Sequence, residues 1–117
     1  MRPVPKSKPK GERRRLLEKD IQKQIADWLT LRGIFWYRNN TGAVAGEYKG
    51  RKRFIRFGSA GAPDIVCVIK GCYIGIEVKR PGGKQTPDQA AFQDQLILAG
   101  GNYVLAESLE DVKDALT

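Results

Sequence analysis

Residues 61–80, GAPDIVCVIKGCYIGIEVKR, constrain the fold more than any other stretch. Two runs, DIVCVI and CYIGIEVK, are almost wholly apolar, and Lys70-Gly71 between them is a turn signal. Such runs read as a hairpin of central strands covered on both faces. Yet the hairpin carries Asp64, Glu77 and Lys79, and burying charge is costly unless it is compensated. A two-residue turn at Lys70-Gly71 sets Ile69 opposite Cys72 and Asp64 opposite Glu77. Opposed residues of an antiparallel pair share a face, with Cβ atoms about 4.5–5.5 Å apart. Lys79 falls on that face too. A longer turn separates the acids.

Two carboxylates this close repel each other and raise a pKa until something neutralises them. A hard divalent cation does so. Mg²⁺ takes one or two carboxylates plus waters and substrate phosphate. A lysine beside such an ion suits hydrolysis of a phosphodiester, holding a water or a phosphate oxygen. The same charges also suit a structural ion pair of Lys79 with Glu77 or Asp64.

The rest of the chain narrows the alternatives. At 117 residues it suits one domain. No apolar run approaches the roughly 20 residues of a membrane span, and no apolar segment follows the basic start as in a secretory signal. Histidine is absent and there are two cysteines, Cys67 and Cys72. That disfavours Cys/His zinc sites, Ser–His or Cys–His catalysis and a disulfide scaffold, and makes a reducing cytoplasm the expected setting. Net charge is +8. Residues 1–15 hold seven Lys/Arg against one Glu, and Arg51, Lys52, Arg53 and Arg56 cluster in the middle. A basic arm and a basic central stretch point to a polyanion, nucleic acid before membrane.

Residues 1–15 read as a disordered basic arm, and 16–117 as the folded domain. Leu17, Ile21, Ile25, Trp28 and Leu29 recur at helical spacing, with Gly33 as a stop, so a helix is predicted over about 17–32. Residues 34–38 read as a strand, 42–52 as a mobile basic loop and 53–57 as a strand or strand end. Thr86, Pro87 and Gln89 form a capping-box start for a helix ending at Gly100-Gly101. A strand at 103–106 and a short helix capped by Ser108 follow. The order predicts a small α/β domain with a mixed sheet and helices on its faces. Trp28, Phe92 and Tyr103 are expected in the core, either Trp36 or Tyr37 should face it, and the two cysteines are expected as buried thiols.

Pro63-Asp64, then Glu77-Val78-Lys79 on the next strand, resembles the PD-(D/E)XK nuclease superfamily. The element order is similar to its restriction-endonuclease-like αβββαβ core. EKDIQKQIADWL, GAPDIV, IEVKRPGGKQTPDQAAF and GGNYVLAESLEDV more closely resemble the VRR-NUC (virus-type replication-repair nuclease) branch, in its stand-alone phage and bacterial form. The resemblance runs from about Glu18 to Leu116. It implies Mg²⁺ or Mn²⁺ held by Asp64, Glu77 and the Val78 carbonyl, with Lys79 positioning water or stabilising the transition state. It implies that Glu18 on the first helix completes the site and that Gln89 takes part. Glu18 also suits the negative charge a helix start prefers, and Gln89 its capping box. The implied activity is a structure-specific DNA endonuclease, acting on branched DNA (Holliday junction-like or flap) as a homodimer. Arg51, Lys52, Arg53, Arg56, Arg80 and Lys84 are the expected contacts to nucleic acid. A silent binding module of nuclease fold and an RNA-cutting nuclease are the rival readings.

Overall fold

The protein is described from a computed structural model. It describes residues 10–39, 42–48, 51–57 and 60–117, with side chains for 18–39 and 60–117. The elements are α1 (Lys10–Leu31), β1 (Phe35–Arg38), β2 (Gly42–Tyr48), β3 (Arg51–Phe57), β4 (Ile65–Ile69), β5 (Cys72–Val78), α2 (Pro87–Leu98), β6 (Asn102–Ala106) and α3 (Leu109–Leu116).

The central hairpin forms as its sequence dictates. Lys70 and Gly71 have φ of 50° and 79°, the positive values that a tight two-residue turn needs to match strand twist. Ile69 pairs with Cys72 and Ile65 with Ile76. β1 adds antiparallel to β4. β6 returns parallel to β5 through α2, the crossover that parallel strands require. The result is a mixed four-stranded sheet of order β1-β4-β5-β6. This is the restriction-endonuclease-like αβββαβ arrangement expected of the chain.

Alternation divides the sheet into two faces. On one, Ile65, Cys67, Ile74, Ile76, Val78 and Ala106 pack against Ile21, Ile25 and Leu29 of α1 and Val112 of α3. Trp36 joins them, with its indole N–H donating to Thr30 Oγ1 at 2.9 Å, while Tyr37 points away and is exposed. On the other face stand Asp64, Gly75, Glu77 and Tyr103, beside α2. Ile25 is wholly buried, so Ile25→Ala should cost about 2–5 kcal/mol. A urea midpoint that falls with an unchanged slope checks this. A loss under about 1 kcal/mol contradicts a core centred on α1.

The helix ends follow the sequence signals. Gly33 takes φ 69°, and the bonds Ile34 N–H to Leu29 O and Gly33 N–H to Thr30 O close α1 in a Schellman motif. Thr86 and Gln89 make the reciprocal capping box of α2, and Ser108 caps α3.

Three expectations are corrected. α1 starts at Lys10, not near Leu17, because Glu12 to Leu16 are good helix formers that continue its pattern. Residues 10–15 of the expected arm therefore belong to α1, and residues 1–9 lie outside the described residues. The expected loop at 42–52 is in fact β2 paired with β3 from Tyr48–Arg51 to Gly42–Phe57, a two-stranded sheet. Cys67 is buried, with burial pushing its thiol up to about 11, but Cys72 is only half-buried.

Candidate active site

Asp64 and Glu77 come together because they are the next residues outward from the last pair of the hairpin, Ile65–Ile76, and Asp64 lies close enough to act on the Glu77 carboxyl. Asp64 stands at the bend before β4, and its Oδ2 accepts the Val78 backbone N–H at 2.9 Å. The carboxylate of one strand thereby holds the backbone next to the carboxylate of the other. Main-chain bonds fix both neighbours: Asn39 N–H donates to Asp64 O, and Lys79 N–H to Ala106 O, each at 2.9 Å.

Glu77 is the one buried charged residue of the described core, at 3% exposure. Its Oε1 accepts the Gln89 side-chain N–H at 2.9 Å and lies 3.9 Å from Lys79 Nζ. Its Oε2 is buried and accepts no hydrogen bond among the described residues, although the protonated acid can share its proton with Asp64. The Glu77 carboxyl is raised to about 8, first by burial and then by Asp64, with Lys79 opposing and Glu18 adding a smaller upward push. Such an oxygen is costly once the carboxyl ionises, and is therefore informative. It marks a place that a cation would compensate. Hard oxygen donors of this kind suit Mg²⁺ or Mn²⁺. Among the described residues no group of three or more His, Cys, Asp or Glu is close enough to hold a metal ion. The donors present are thus two carboxylates, which matches the one or two that Mg²⁺ usually takes.

Gln89 shows that its two readings are compatible. Its Oε1 accepts Thr86 N–H at 2.9 Å as the capping box requires, and its Nε2 donates to Glu77. One amide both starts α2 and orients the acid. Glu18 is near enough to act on Glu77 electrostatically but does not close a three-acid cluster. Gln22, one turn on, accepts from Arg38 at 3.3 Å.

The expected basic contacts are less gathered. Arg80 and Lys84 are exposed on the loop between β5 and α2, and neither makes an ion pair among the described residues. Arg51, Lys52, Arg53 and Arg56 lie on β3, with side chains outside the described residues.

Tyr103, expected in the core, stands elsewhere. It is half-buried and stands on the Glu77 face because β6 pairs Tyr103 with Gly75. Burial raises its hydroxyl pKa, Gln85 opposes this, and Glu77 and Asp64 push it up. No local signal carries this, since a crossover connection leaves the β6 register open.

No protein-family model matches the sequence, and no curated protein matches it. Among solved structures, one described as a VRR_NUC domain superposes with a TM-score of 0.60 at 22% identity, covering 85% of this chain and 92% of the other. With its αβββαβ core and mixed sheet, the chain is built on the VRR-NUC fold.

Proposed function

We propose that this protein is a metal-dependent nuclease that hydrolyses phosphodiester bonds in DNA. The observation carrying this reading is the buried Oε2 of Glu77, which accepts no hydrogen bond among the described residues, on a carboxyl with Asp64 and Lys79 as its charged neighbours. Asp64, Glu77 Oε2 and the Val78 carbonyl are the proposed ligands. Mg²⁺ or Mn²⁺, when bound, activates water and stabilises charge on the phosphate oxygens. Gln89 occupies Oε1 and so leaves Oε2 as the oxygen presented to the ion. Lys79 holds the attacking water or a phosphate oxygen as a compact point charge. Glu18 adds negative charge at the margin of the site. Arg80, Lys84 and the β3 residues Arg51, Lys52, Arg53 and Arg56 meet phosphates, so affinity falls steeply with salt. The VRR-NUC fold and the resemblance of the sequence support a structure-specific endonuclease acting on branched DNA, a four-way junction or flap, as a homodimer in the cytoplasm of a bacterial or phage-infected cell. No helix among the described residues is long and apolar enough to cross a membrane.

The test is a panel of four-way junctions, flaps, plain duplexes and single-stranded RNA, each with Mg²⁺, Mn²⁺ or EDTA. Branched DNA should be cut only with metal. Binding that survives EDTA, without cleavage under any condition, would identify a silent binding module, and preferred cutting of RNA would reassign the substrate.

The raised Glu77 carboxyl gives a second expectation. The ion needs the ionised carboxylate, and below about pH 8 a proton competes for it. The Mn²⁺ concentration at half-maximal rate should fall about tenfold for each pH unit from ~6 to ~8, then level off. Metal titrations of the cleavage rate across that range check it. A requirement independent of pH contradicts Glu77 as a ligand.

A further inference from the structure

We infer that Gly61 is a positioning residue for the cation-holding acids, an inference that rests on the metal-dependent reading above. The Asp64 loop is seated between two backbones. Gly61 has φ 77°, and a Cβ there would overlap the Asp88 carbonyl and lie 2.8 Å from Gln89 N. These are main-chain atoms in the first turn of α2, which cannot swing aside as a flexible side chain can. At the other end of the loop, Pro63 is fully buried against β5. A Cβ on Gly75 would lie 2.6 Å from Pro63 Cγ, so glycine at 75 makes the seat that proline occupies.

These contacts close a circuit. Gly61 abuts the backbone of Gln89. The Gln89 amide holds Glu77, and the Val78 N–H beside Glu77 holds Asp64, three residues on from Gly61. A side chain at 61 must push the turn of α2 away from the sheet. The circuit then opens at its longest-reaching link, the amide of Gln89 on Glu77. Glu77 loses the bond that chooses which oxygen it presents. The predicted consequence is a weaker hold on the cation, while Lys79 and the two carboxylates stay in place. Residues that orient a metal ligand commonly alter metal affinity about 10–100-fold.

Strain must be separated from positioning. Gly33 at the end of α1 has φ 69°, and a Cβ there meets nothing within 4 Å. Gly33→Ala thus carries the left-handed strain without the clash and is the matched control. Mn²⁺ binding is measured by calorimetry on the full chain for wild type, Gly33→Ala, Gly61→Ala, Gln89→Ala and Gly61→Ala/Gln89→Ala. Gly61→Ala should bind Mn²⁺ about tenfold more weakly, and Gln89→Ala similarly. The double variant should be no weaker than the weaker single one, because both open one link. Gly33→Ala should melt earlier than wild type yet bind Mn²⁺ as tightly. In cleavage, Gly61→Ala should raise the half-saturating Mn²⁺ while leaving the rate at saturating metal near the wild-type value. If Gly61→Ala does not fold, Thr86→Ala takes its place in the cycle. It removes the hydroxyl that the Gln89 backbone N–H donates to, at 3.2 Å, and loosens the same turn without a clash. Wild-type affinity in the variant, or losses that simply add in the double variant, would overturn the inference. A wild-type chain that binds no Mn²⁺ overturns the metal reading itself, and this inference with it.

Discussion

Glu77→Gln is expected to reduce cleavage by about a thousandfold or more while making the metal-free fold more stable at alkaline pH. The two effects have one origin. In the folded chain the Glu77 carboxyl is raised to about 8, first by burial and then by Asp64. The folded state therefore binds this proton more tightly than the unfolded chain does, so its contribution favours folding at low pH. As pH rises from about 4.5 to about 8, the unfolded chain has already ionised while the folded one resists, and stability drains away. Above that window the folded chain holds an ionised carboxylate with a buried, unpartnered oxygen. Glutamine keeps an oxygen for the Gln89 amide and carries no charge, so it avoids this cost. Urea melts in EDTA at pH 6 and pH 9 should show the variant gaining about 2–4 kcal/mol on wild type between the two conditions. Adding Mn²⁺ at pH 9 should restore the wild type and leave the variant unmoved. If wild type is as stable as the variant at pH 9 without metal, then Glu77 is not the strained acid its surroundings imply.

How much of this site is legible in the sequence depends on how local each constraint is. The pairing of Asp64 with Glu77 was legible because a two-residue turn and the two-residue period of a strand leave one register. The turn carries its own proof in the positive φ of Lys70 and Gly71. The capping box of α2 was legible for the same reason, being contained within Thr86 to Gln89. The β2–β3 hairpin is not legible in the sequence. GAVAGEY lacks the β-branched and aromatic content that marks a strand, and its glycines argue for loop. The meeting of Gln89 with Glu77 needs α2 docked on the sheet. That docking depends on Gly61 and Gly75, whose lack of side chains matters only once loop, strand and helix are in contact. Tyr103 reached the site through a parallel register that no turn specifies. Local chemistry thus places the acids and the lysine on one face, while tertiary packing supplies the groups that hold them.

Lys79→Ala should separate two contributions that the ammonium makes. Lys79 Nζ lies 3.9 Å from Glu77 Oε1, with the side chain 16% exposed, and it lowers the Glu77 carboxyl against burial and Asp64. Removing it lets that carboxyl rise further, so the acid limb of the pH–rate profile should move to higher pH. Were this its whole role, high pH and saturating Mn²⁺ would restore the rate, because Glu77 would then be fully ionised and occupied. A group that also holds the attacking water or a phosphate oxygen in the transition state cannot be replaced in that way. The variant should therefore stay about 10²–10⁴-fold slow at pH 9 with saturating Mn²⁺. Its Mn²⁺ affinity at that pH should be close to wild type, since the ammonium is not a ligand. Lys79→Arg should recover little, because a planar, forked cation does not reproduce a compact one at this distance. Single-turnover cleavage of a junction substrate reads the chemical step without product release. Full recovery of Lys79→Ala at pH 9 would reduce this lysine to an electrostatic partner of Glu77 and remove it from the chemistry.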